Sequence, residues 1–247
     1  MIPLRSEPEL AKLRIAGSIL AGIMKELEGE VRVGITTVEL DRLAEKFIRR
    51  EKVIPAFKGY KGYPAVVCAS VNEEIVHGIP SERALIEGDI LSLDLGIQYE
   101  GYFSDAAFTV PVGRIDSRKK KLIEVTRKSL ELGIKKAKPG NHLSDISYSI
   151  QEYVEKNGFS VVRQFVGHGI GRNLHEEPEV PNFGKPHEGP FLESGMVLAI
   201  EPMVNMGGWE CEILENGWTA VTRDRLPSAH FEHTVAITDS GPEILTK

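Results

Sequence analysis

The sequence predicts an α+β fold, in which helices lie outside antiparallel strands. Two observations support this class: apolar residues recur with helical spacing in four segments, and short apolar runs bounded by Gly and Pro separate and follow them. No stretch of biased composition divides these segments into separately folded parts. We therefore expect one domain that spans residues 1–247, with its helices packed on sheets.

The first two helices are predicted from their starting residues. Ser6 forms an S-x-x-E capping box with Glu9, and the apolar positions of this first helix continue to about Leu27. A second helix begins at Thr36, with Glu39 three residues later. Both signals satisfy backbone N–H groups that the first turn of a helix leaves without partners.

The remaining elements are predicted from apolar periodicity and from Gly and Pro stops. They are helices near 117–138 and 144–157, and strands near 65–71, 90–97, 102–112, 160–166, 196–205, 209–214, 217–222 and 231–238. Strands this numerous between and after helices are typical of α+β proteins.

The helices form a weak internal repeat. Placing Gly140 on Gly34, an offset of 106 residues, also aligns an acidic residue and three apolar positions of the two following helices. The repeat predicts two similar halves, at about 1–113 and 114–247. The alternative is that any two amphipathic helices that follow a glycine would align equally well.

The composition is that of an ordinary folded protein. The chain has 30 Lys and Arg against 36 Asp and Glu, a formal charge of −6, and 41% hydrophobic residues. A mildly acidic chain has no general attraction for nucleic acid or anionic membranes, and we find neither a signal peptide nor an apolar run of about 18 residues. Two cysteines, Cys68 and Cys211, favour a reducing compartment. These features predict a cytoplasmic protein without nucleic-acid or membrane partners.

Two carboxylates lie in neighbouring apolar strands. Asp94 stands in LSLDLGI and Asp105 in GYFSDAAFTV. A turn centred on Tyr99 and Glu100 would place Asp94 directly opposite Asp105, with Cβ atoms about 4.5–5.5 Å apart. A cation between them would remove both their repulsion and the cost of their burial. The alternative, two edge aspartates that face water, is disfavoured by their apolar neighbours, so the pair predicts a metal site.

Three further ligand candidates follow downstream. His168 lies in a glycine-rich turn where backbone can approach a ligand closely, Glu201 ends an apolar run, and Glu232 lies within one. A single buried Glu is more often a satisfied structural residue, but four carboxylates and one histidine in apolar strands favour a metal site. This donor set exceeds what one catalytic zinc takes and suits two ions bridged by shared carboxylates.

At this point the sequence resembles the methionine aminopeptidases. The five candidate ligands have the order and spacing of that family's metal ligands, and the resemblance covers essentially the whole chain. The motifs that carry it are NEEIVHGIP (72–80), LDLG (93–96), GHGIG (167–171), IEP (200–202) and FEHT (231–234). The resemblance implies the pita-bread fold, with two pseudo-symmetric αβ halves around a dinuclear metal site. Because no long insertion separates Glu201 from Glu232 and no Cys-rich zinc segment precedes the core, the chain is similar to the short bacterial form of type I.

The resemblance also implies the chemistry. Its five ligands would hold two divalent ions (Mn, Fe, Co or Zn), and they are Asp94, Asp105, His168, Glu201 and Glu232. A metal-bound hydroxide would attack the scissile carbonyl, while Glu201 would pass a proton from the water toward the leaving amine. His77 and His175 would hydrogen-bond the scissile amide and the developing oxyanion. The expected activity is removal of the initiator methionine from nascent polypeptides whose second residue is small.

A pocket for the methionine side chain is implied by the same resemblance. An aromatic and sulfur-containing lining suits an unbranched thioether. The expected substrate-binding residues are Phe57, Tyr60, Tyr63, Cys68 and Trp218, together with His77 and His175. The alternative is that these aromatics only pack the 55–68 loop onto the core. Leu174 stands where relatives often have an aromatic residue, which alters the expected rim of the pocket.

The resemblance extends to partners. It implies peptide or nascent-chain N-termini as substrates, transient contact with the ribosome, a monomer, and a structural monovalent cation near Asn72. The other histidines have no motif support: we expect His142, His187 and His230 in loops or around the site, and His233 on the face of its strand opposite to Glu232.

Two other interpretations stay open. Xaa-Pro aminopeptidases and prolidases share the fold and the ligand set, and pita-bread binding proteins share the fold without this peptidase activity. The Xaa-Pro enzymes usually carry an additional N-terminal domain, and the non-enzymatic proteins typically lose ligands. This sequence has all five ligand candidates and both histidines, which favours the aminopeptidase.

Overall fold

The computed structural model, which describes residues 2–247, has four long helices in two consecutive pairs, each pair followed by strands, fifteen strands in all. The helices are α1 (Glu7–Glu30), α2 (Thr37–Arg50), α3 (Ser117–Lys136) and α4 (Leu143–Lys156), with one 3₁₀ turn at Tyr60–Gly62. The strands are β1 (Ile54–Pro55), β2 (Cys68–Val71), β3 (Glu74–Val76), β4 (Ile90–Tyr99), β5 (Tyr102–Pro111), β6 (Ser160–Val161), β7 (Gly167–Gly169), β8 (Glu176–Val180), β9 (Val197–Ile200), β10 (Met203–Asn205), β11 (Cys211–Ile213), β12 (Ala220–Thr222), β13 (Ser228–His230), β14 (Glu232–Thr238) and β15 (Gly241–Ile244).

The predicted helices are confirmed, with ends that differ by at most three residues. The Thr36 N–H donates to Glu39 Oε2 at 2.8 Å, as the capping box predicts. At the corresponding place before α4, the His142 N–H donates to Asp145 Oδ2 at 2.9 Å. The two helices aligned by the 106-residue offset therefore begin with the same capping geometry.

One large antiparallel sheet runs through the molecule. Its strand order is β1-β4-β5-β14-β9-β7-β8, and β2 and β15 pair additionally with β4 and β14. Two three-stranded sheets, β13-β10-β6 and β11-β12-β3, lie beside it. Helix α1 packs on β4 and β5, while α3 packs on α4. The central neighbours β5 and β14 thus join strands that are far apart in the chain.

The core consists of two main apolar clusters, one built around α1 and α2 and the other around α3 and α4. One includes Leu20, Leu40 and Leu93, from α1, α2 and β4. The other includes Leu122 and Ile146, from α3 and α4, with residues of β9 and β14. Burial of these leucine-rich faces stabilises each helix against the sheet, at about 25 cal/mol per Å² of apolar surface.

The predicted register of the β4–β5 hairpin is wrong by two residues. The turn residues are Glu100 and Gly101, both with positive φ (46° and 82°), as a type I′ turn requires. Asp94 is consequently paired with Ala107, and Asp105 with Gly96. Because the shift is an even number, both carboxylates keep the same face of the sheet.

The strands near 160–166 and 196–205 differ from prediction. Only Ser160–Val161 of the first is a strand, and the second is split into β9 and β10 at Glu201 and Pro202. Proline has no N–H to continue a ladder, which accounts for the break. Strands of two or three residues, such as β1 and β3, are too short to show a periodicity in the sequence. None of the helices formed by residues 2–247 has the combined length and apolarity of a membrane span.

Candidate metal centre and substrate pocket

A cavity of about 190 Å³ opens on one face of the large sheet. All twelve residues predicted for the site line it, and Lys61 and Leu174 complete the lining. The predicted twelve are Phe57, Tyr60, Tyr63, Cys68, His77, Asp94, Asp105, His168, His175, Glu201, Trp218 and Glu232. Tertiary structure therefore brings together residues that are spread over most of the chain.

The carboxylates come from four positions of the central sheet. Asp94 lies in β4, Asp105 in β5, Glu201 directly after β9, and Glu232 at the start of β14. One ligand atom from each of Asp105, His168 and Glu232 lies within 4.8 Å of the others. Such a triangle of one nitrogen and two oxygen donors matches the ligands that divalent transition metals take.

Two carboxylate oxygens in this cluster have no hydrogen-bond partner among residues 2–247: Asp94 Oδ1 and Glu232 Oε1. Leaving a buried charged oxygen without a partner is costly, so such atoms are rare unless something binds them. The unsatisfied oxygens and the donor set together fit divalent metal ions.

Burial and mutual repulsion shift the titration of these groups. Burial raises the pKa of Asp105 to about 7. Burial, followed by the negative charge of Asp105, raises the pKa of the other three carboxyls. The protein without a cation therefore resists ionising all four groups, and bound divalent cations would favour their charged forms.

His168 is held as a neutral ligand candidate. Its Nδ1 lies 2.9 Å from the Gly169 carbonyl, which can only accept, so Nδ1 carries the proton and Nε2 keeps its lone pair. Nε2 lies 3.6 Å from Glu201 Oε1, and burial lowers the pKa of His168. A Cβ at Gly167 would lie 2.3 Å from the Ala199 carbonyl oxygen. Glycine before His168 thus lets β7 approach β9 closely enough to present the histidine.

Two further imidazoles lie at the cavity. The ring of His175 is 4.2 Å from that of His168, and its Nδ1 is hydrogen-bonded to the Tyr60 hydroxyl at 3.0 Å. His77 has φ of 59°, and its ring meets the edges of Phe165 and Trp218. Burial lowers the pKa of both His77 and His175 to about 4. Near neutral pH both rings are therefore uncharged and can each donate one N–H.

The apolar end of the cavity is built around Tyr63. Its hydroxyl donates to the Gly78 carbonyl at 2.9 Å, and its ring packs edge-on against Trp218 at 5.1 Å. Phe57, Cys68 and Leu174 are buried beside it. The result is a rigid aromatic and sulfur-containing wall next to the carboxylates.

His230 lies closer to the site than its lack of motif support indicated. We expected it in a loop or around the site, and the structure places it around the site: His230 ends β13, is 2% exposed, and has Nε2 3.6 Å from Glu201 Oε2. Nε2 has no hydrogen-bond partner among residues 2–247. Its position two residues before Glu232 could have indicated the same face of an extended segment. His142 and His187 do lie away from the cavity, at the start of α4, where His187 Nδ1 is 3.3 Å from Asp145.

Comparison with known proteins identifies what this arrangement resembles. The profile of metallopeptidase family M24 matches residues 11–239. A relative from Bacillus subtilis, methionine aminopeptidase 1, is 52% identical over the full length of both chains. The crystal structure of methionine aminopeptidase from Thermotoga maritima superposes with a TM-score of 0.98, at 48% identity and full coverage of both chains.

The same fold also occurs in a protein of much lower sequence identity. The prolidase from Pyrococcus horikoshii has a TM-score of 0.81 and 23% identity, over 99% of this chain but 63% of its own. Identity this low shows a shared fold alone. The Xaa-Pro interpretation is therefore weaker than the aminopeptidase one.

Proposed function

This chain belongs to metallopeptidase family M24 and, within it, to the type I methionine aminopeptidases, and we propose that it removes N-terminal methionine from peptides and nascent chains whose second residue is small. The observation that carries the proposal is a buried, unsatisfied carboxylate cluster with neutral histidines beside an aromatic pocket. The protein is a metal-dependent hydrolase, as its family implies.

We propose that two divalent ions are held by all five predicted ligands: Asp94, Asp105, His168, Glu201 and Glu232. Four negative charges balance two divalent cations, and the unpartnered oxygens of Asp94 and Glu232 would become ligands. Mixed oxygen and imidazole donors suit Mn, Fe, Co or Zn. When bound, such ions polarise the scissile carbonyl and lower the pKa of water from about 15.7 toward about 7.

Glu201 is positioned to move the proton. Its carboxylate lines the cavity with the other ligand candidates, and bound cations would keep it ionised, so that it can accept a proton. We propose that Glu201 accepts a proton from the attacking water and returns it to the leaving amine. His168 and His230 flank the carboxylate at 3.6 Å and confine it to this place.

His77 and His175 would act as neutral donors. Burial keeps each ring neutral, and a neutral imidazole still carries one N–H that can be directed toward the peptide. We propose that they bond the scissile amide and the oxyanion that develops on its carbonyl. The hydrogen bond between Tyr60 and His175 Nδ1 fixes the orientation of that ring.

The methionine side chain would lie against the aromatic wall. An unbranched thioether fits between rings and the Cys68 thiol better than a branched or charged side chain does. The proposed lining is Phe57, Tyr60, Tyr63, Cys68 and Trp218. We propose that the histidines and ions crowd the position after the scissile bond, which restricts the second residue to small side chains.

The test is a peptide comparison with the Mn-loaded protein. Met-Ala-Ser should have a much higher kcat/KM than Met-Leu-Ser, and norleucine in place of methionine should be cleaved more slowly, since one group in an apolar pocket changes binding by about 1–3 kcal/mol. Ala-Pro-Ser should be a poor substrate. The matched control is Glu201→Gln, prepared identically, which reports any contaminating peptidase. Faster cleavage of Ala-Pro-Ser than of Met-Ala-Ser would contradict this function and favour an Xaa-Pro peptidase. Metal binding without cleavage of any of the three peptides would favour a binding protein.

Further proposals concern the organisation of the chain and the place where it acts. We propose one domain over residues 1–247 with similar halves near 1–113 and 114–247, acting as a cytoplasmic monomer on chains that emerge from the ribosome. Both cysteines are free, which accords with a reducing compartment. We also propose a monovalent cation near Asn72. The Asn72 side chain itself is hydrogen-bonded to Lys119, whose Nζ lies 3.3 Å from Asn72 Oδ1. Sedimentation of the protein alone tests whether it is a monomer. Sedimentation with ribosomes tests whether it contacts them.

A further inference from the structure

The two central strands β5 and β14 carry Asp105 and Glu232 side by side. Backbone pairing between them covers only Glu232 with Ala107 and His233 with Ala106. Continuing this register by one residue would place Thr234 opposite Asp105. The ladder stops there, at the residue whose carboxylate points into the cavity.

The backbone of Thr234 is committed elsewhere. Its N–H donates to Thr246 Oγ1 at 3.2 Å, and its carbonyl accepts from the Leu245 N–H at 2.9 Å. The C-terminal segment thus occupies the two backbone groups that an uninterrupted ladder would offer to β5. Asp105 must find other partners for its own backbone, which is buried.

The Thr234 hydroxyl supplies both partners. It accepts from the Asp105 N–H at 2.9 Å and donates to the Asp105 carbonyl at 2.8 Å. The Asp105 carboxylate is in turn tied to this backbone, because Oδ1 accepts from the Ala106 N–H at 3.0 Å. The direction of the carboxylate therefore follows the backbone that Thr234 holds.

The same arrangement is repeated at the other end of the strand pair. The Thr109 hydroxyl accepts from the His230 N–H and donates to the His230 carbonyl, both at 2.8 Å. His230 is the residue beside Glu201. One threonine from each strand thus replaces the ladder bonds of the residue opposite, so the geometry is a built feature of the β5–β14 contact.

We propose that Thr234 is a positioning residue for the metal ligand Asp105, its hydroxyl clasping the Asp105 backbone across the gap between β14 and β5. The inference rests on the proposed metal role of this site. Thr234→Val keeps the shape but leaves the buried N–H and carbonyl of Asp105 without partners, so β5 must shift to satisfy them. The Asp105 carboxylate moves with β5, and the affinity of the site for metal falls.

The experiment measures metal binding without peptide. Chelator-stripped protein is titrated with Mn²⁺, free Mn²⁺ is followed by electron paramagnetic resonance, and the visible spectrum of the Co²⁺-loaded protein reports the ligand geometry. Thr234→Val should raise the Kd for Mn²⁺ about tenfold or more, the range expected on losing a group that orients a ligand, and should alter the Co²⁺ spectrum. Thr234→Ser keeps the hydroxyl and should bind like the wild type.

The matched control is Thr126→Val, since Thr126 is also fully buried and donates its hydroxyl to a backbone carbonyl, within α3. It should leave both metal measurements unchanged. If Thr234→Val fails to fold, Thr234→Ser and Thr234→Ala differ by the hydroxyl alone, and Ala should show the weaker binding. A wild-type Kd in Thr234→Val, equal losses in Thr234→Ser, or equal losses in Thr126→Val would each overturn the proposal. Because no peptide is present, a failed cleavage assay would contradict the proposed function alone.

Discussion

The two faces of β14 each hold a titratable group with a shifted pKa, a carboxyl on one face and an imidazole on the other. Glu232 faces the cavity, and its Oε1 has no partner within residues 2–247. The next residue, His233, faces a groove between α1 and α3, where its Nδ1 is hydrogen-bonded to Thr246 Oγ1 at 2.9 Å. Burial shifts both groups, raising the pKa of Glu232 and lowering that of His233 to about 4. Burial is thus common to both faces, and what distinguishes the cavity is the missing partner.

The same distinction holds more widely. Four buried side-chain atoms lack a partner among residues 2–247, and three of them belong to the cavity residues Asp94 and Glu232 and to His230, which lies beside Glu201. The fourth is Arg5 Nε, whose guanidinium already pairs with Glu176. Unsatisfied polar groups are rare in folded proteins, so their concentration on one face marks where a ligand binds.

The largest effect should follow removal of the metal or of a ligand carboxylate. Chelation should abolish cleavage of Met-Ala-Ser, and Mn²⁺, Fe²⁺ or Co²⁺ should restore it, because the unpartnered oxygens need a cation to be ionised together. Asp105→Asn and Glu232→Gln should lower metal occupancy as well as kcat, measured by metal analysis beside the assay. Full activity in a metal-free sample would show that the unpartnered carboxylate oxygens on this face do not bind a metal ion that the reaction needs.

Next in size is the loss of a neutral donor. His175→Ala should lower kcat by about 10²–10³, the usual loss for one oxyanion-type donor, with metal content retained. His77→Ala should behave similarly. Turnover close to that of the wild type in either variant would remove that histidine from the catalytic face, whereas loss of metal would make it a ligand instead.

Substitution of His233, on the face of β14 opposite to the cavity, should lower the stability of the protein and leave its activity unchanged. His233→Leu removes the hydrogen bond to Thr246 and should lower the free energy of unfolding by about 0.5–1.5 kcal/mol, the net value of one such bond. Urea unfolding measures this, with Glu232→Gln as the cavity-face counterpart. A loss of kcat in His233→Leu comparable to that of His175→Ala would break the distinction between the two faces.

The smallest effect should come from a satisfied carboxylate outside both faces. Hydrogen bonds from the Ser6 backbone and hydroxyl hold the pKa of Glu9 at about 2, against 4.5 when unperturbed. Because the folded pKa is the lower one, this stabilisation is complete above pH 4.5 and is lost as the pH falls toward about 2. Glu9→Gln should cost about 0.5–1 kcal/mol at neutral pH. Denaturant unfolding at several pH values should show the difference from wild type shrinking in acid, with no change in kcat.

Local signals in the sequence were sufficient for the helices and for part of the site. Capping residues at Thr36 and Glu39 predicted the start of α2, because a cap depends on residues three positions apart. The shared face of Asp94 and Asp105 was predicted although the register was wrong, since a shift of two residues keeps every side chain on its face. Convergence of all five ligand candidates rested on family resemblance, because no local rule relates strands about 100 residues apart.

The sequence by itself determined the helices, the apolar strands with their isolated carboxylates, and the donor types for a divalent metal, because these depend on side-chain chemistry and on neighbours a few residues away. Only the tertiary structure decided the turn at Glu100 and Gly101, the place of His230 beside Glu201, and the clasp of Thr234 on Asp105. Thr234 and Asp105 are separated by 129 residues. Their contact exists because the C-terminal segment occupies the Thr234 backbone, a competition for hydrogen bonds that appears only when three distant segments meet.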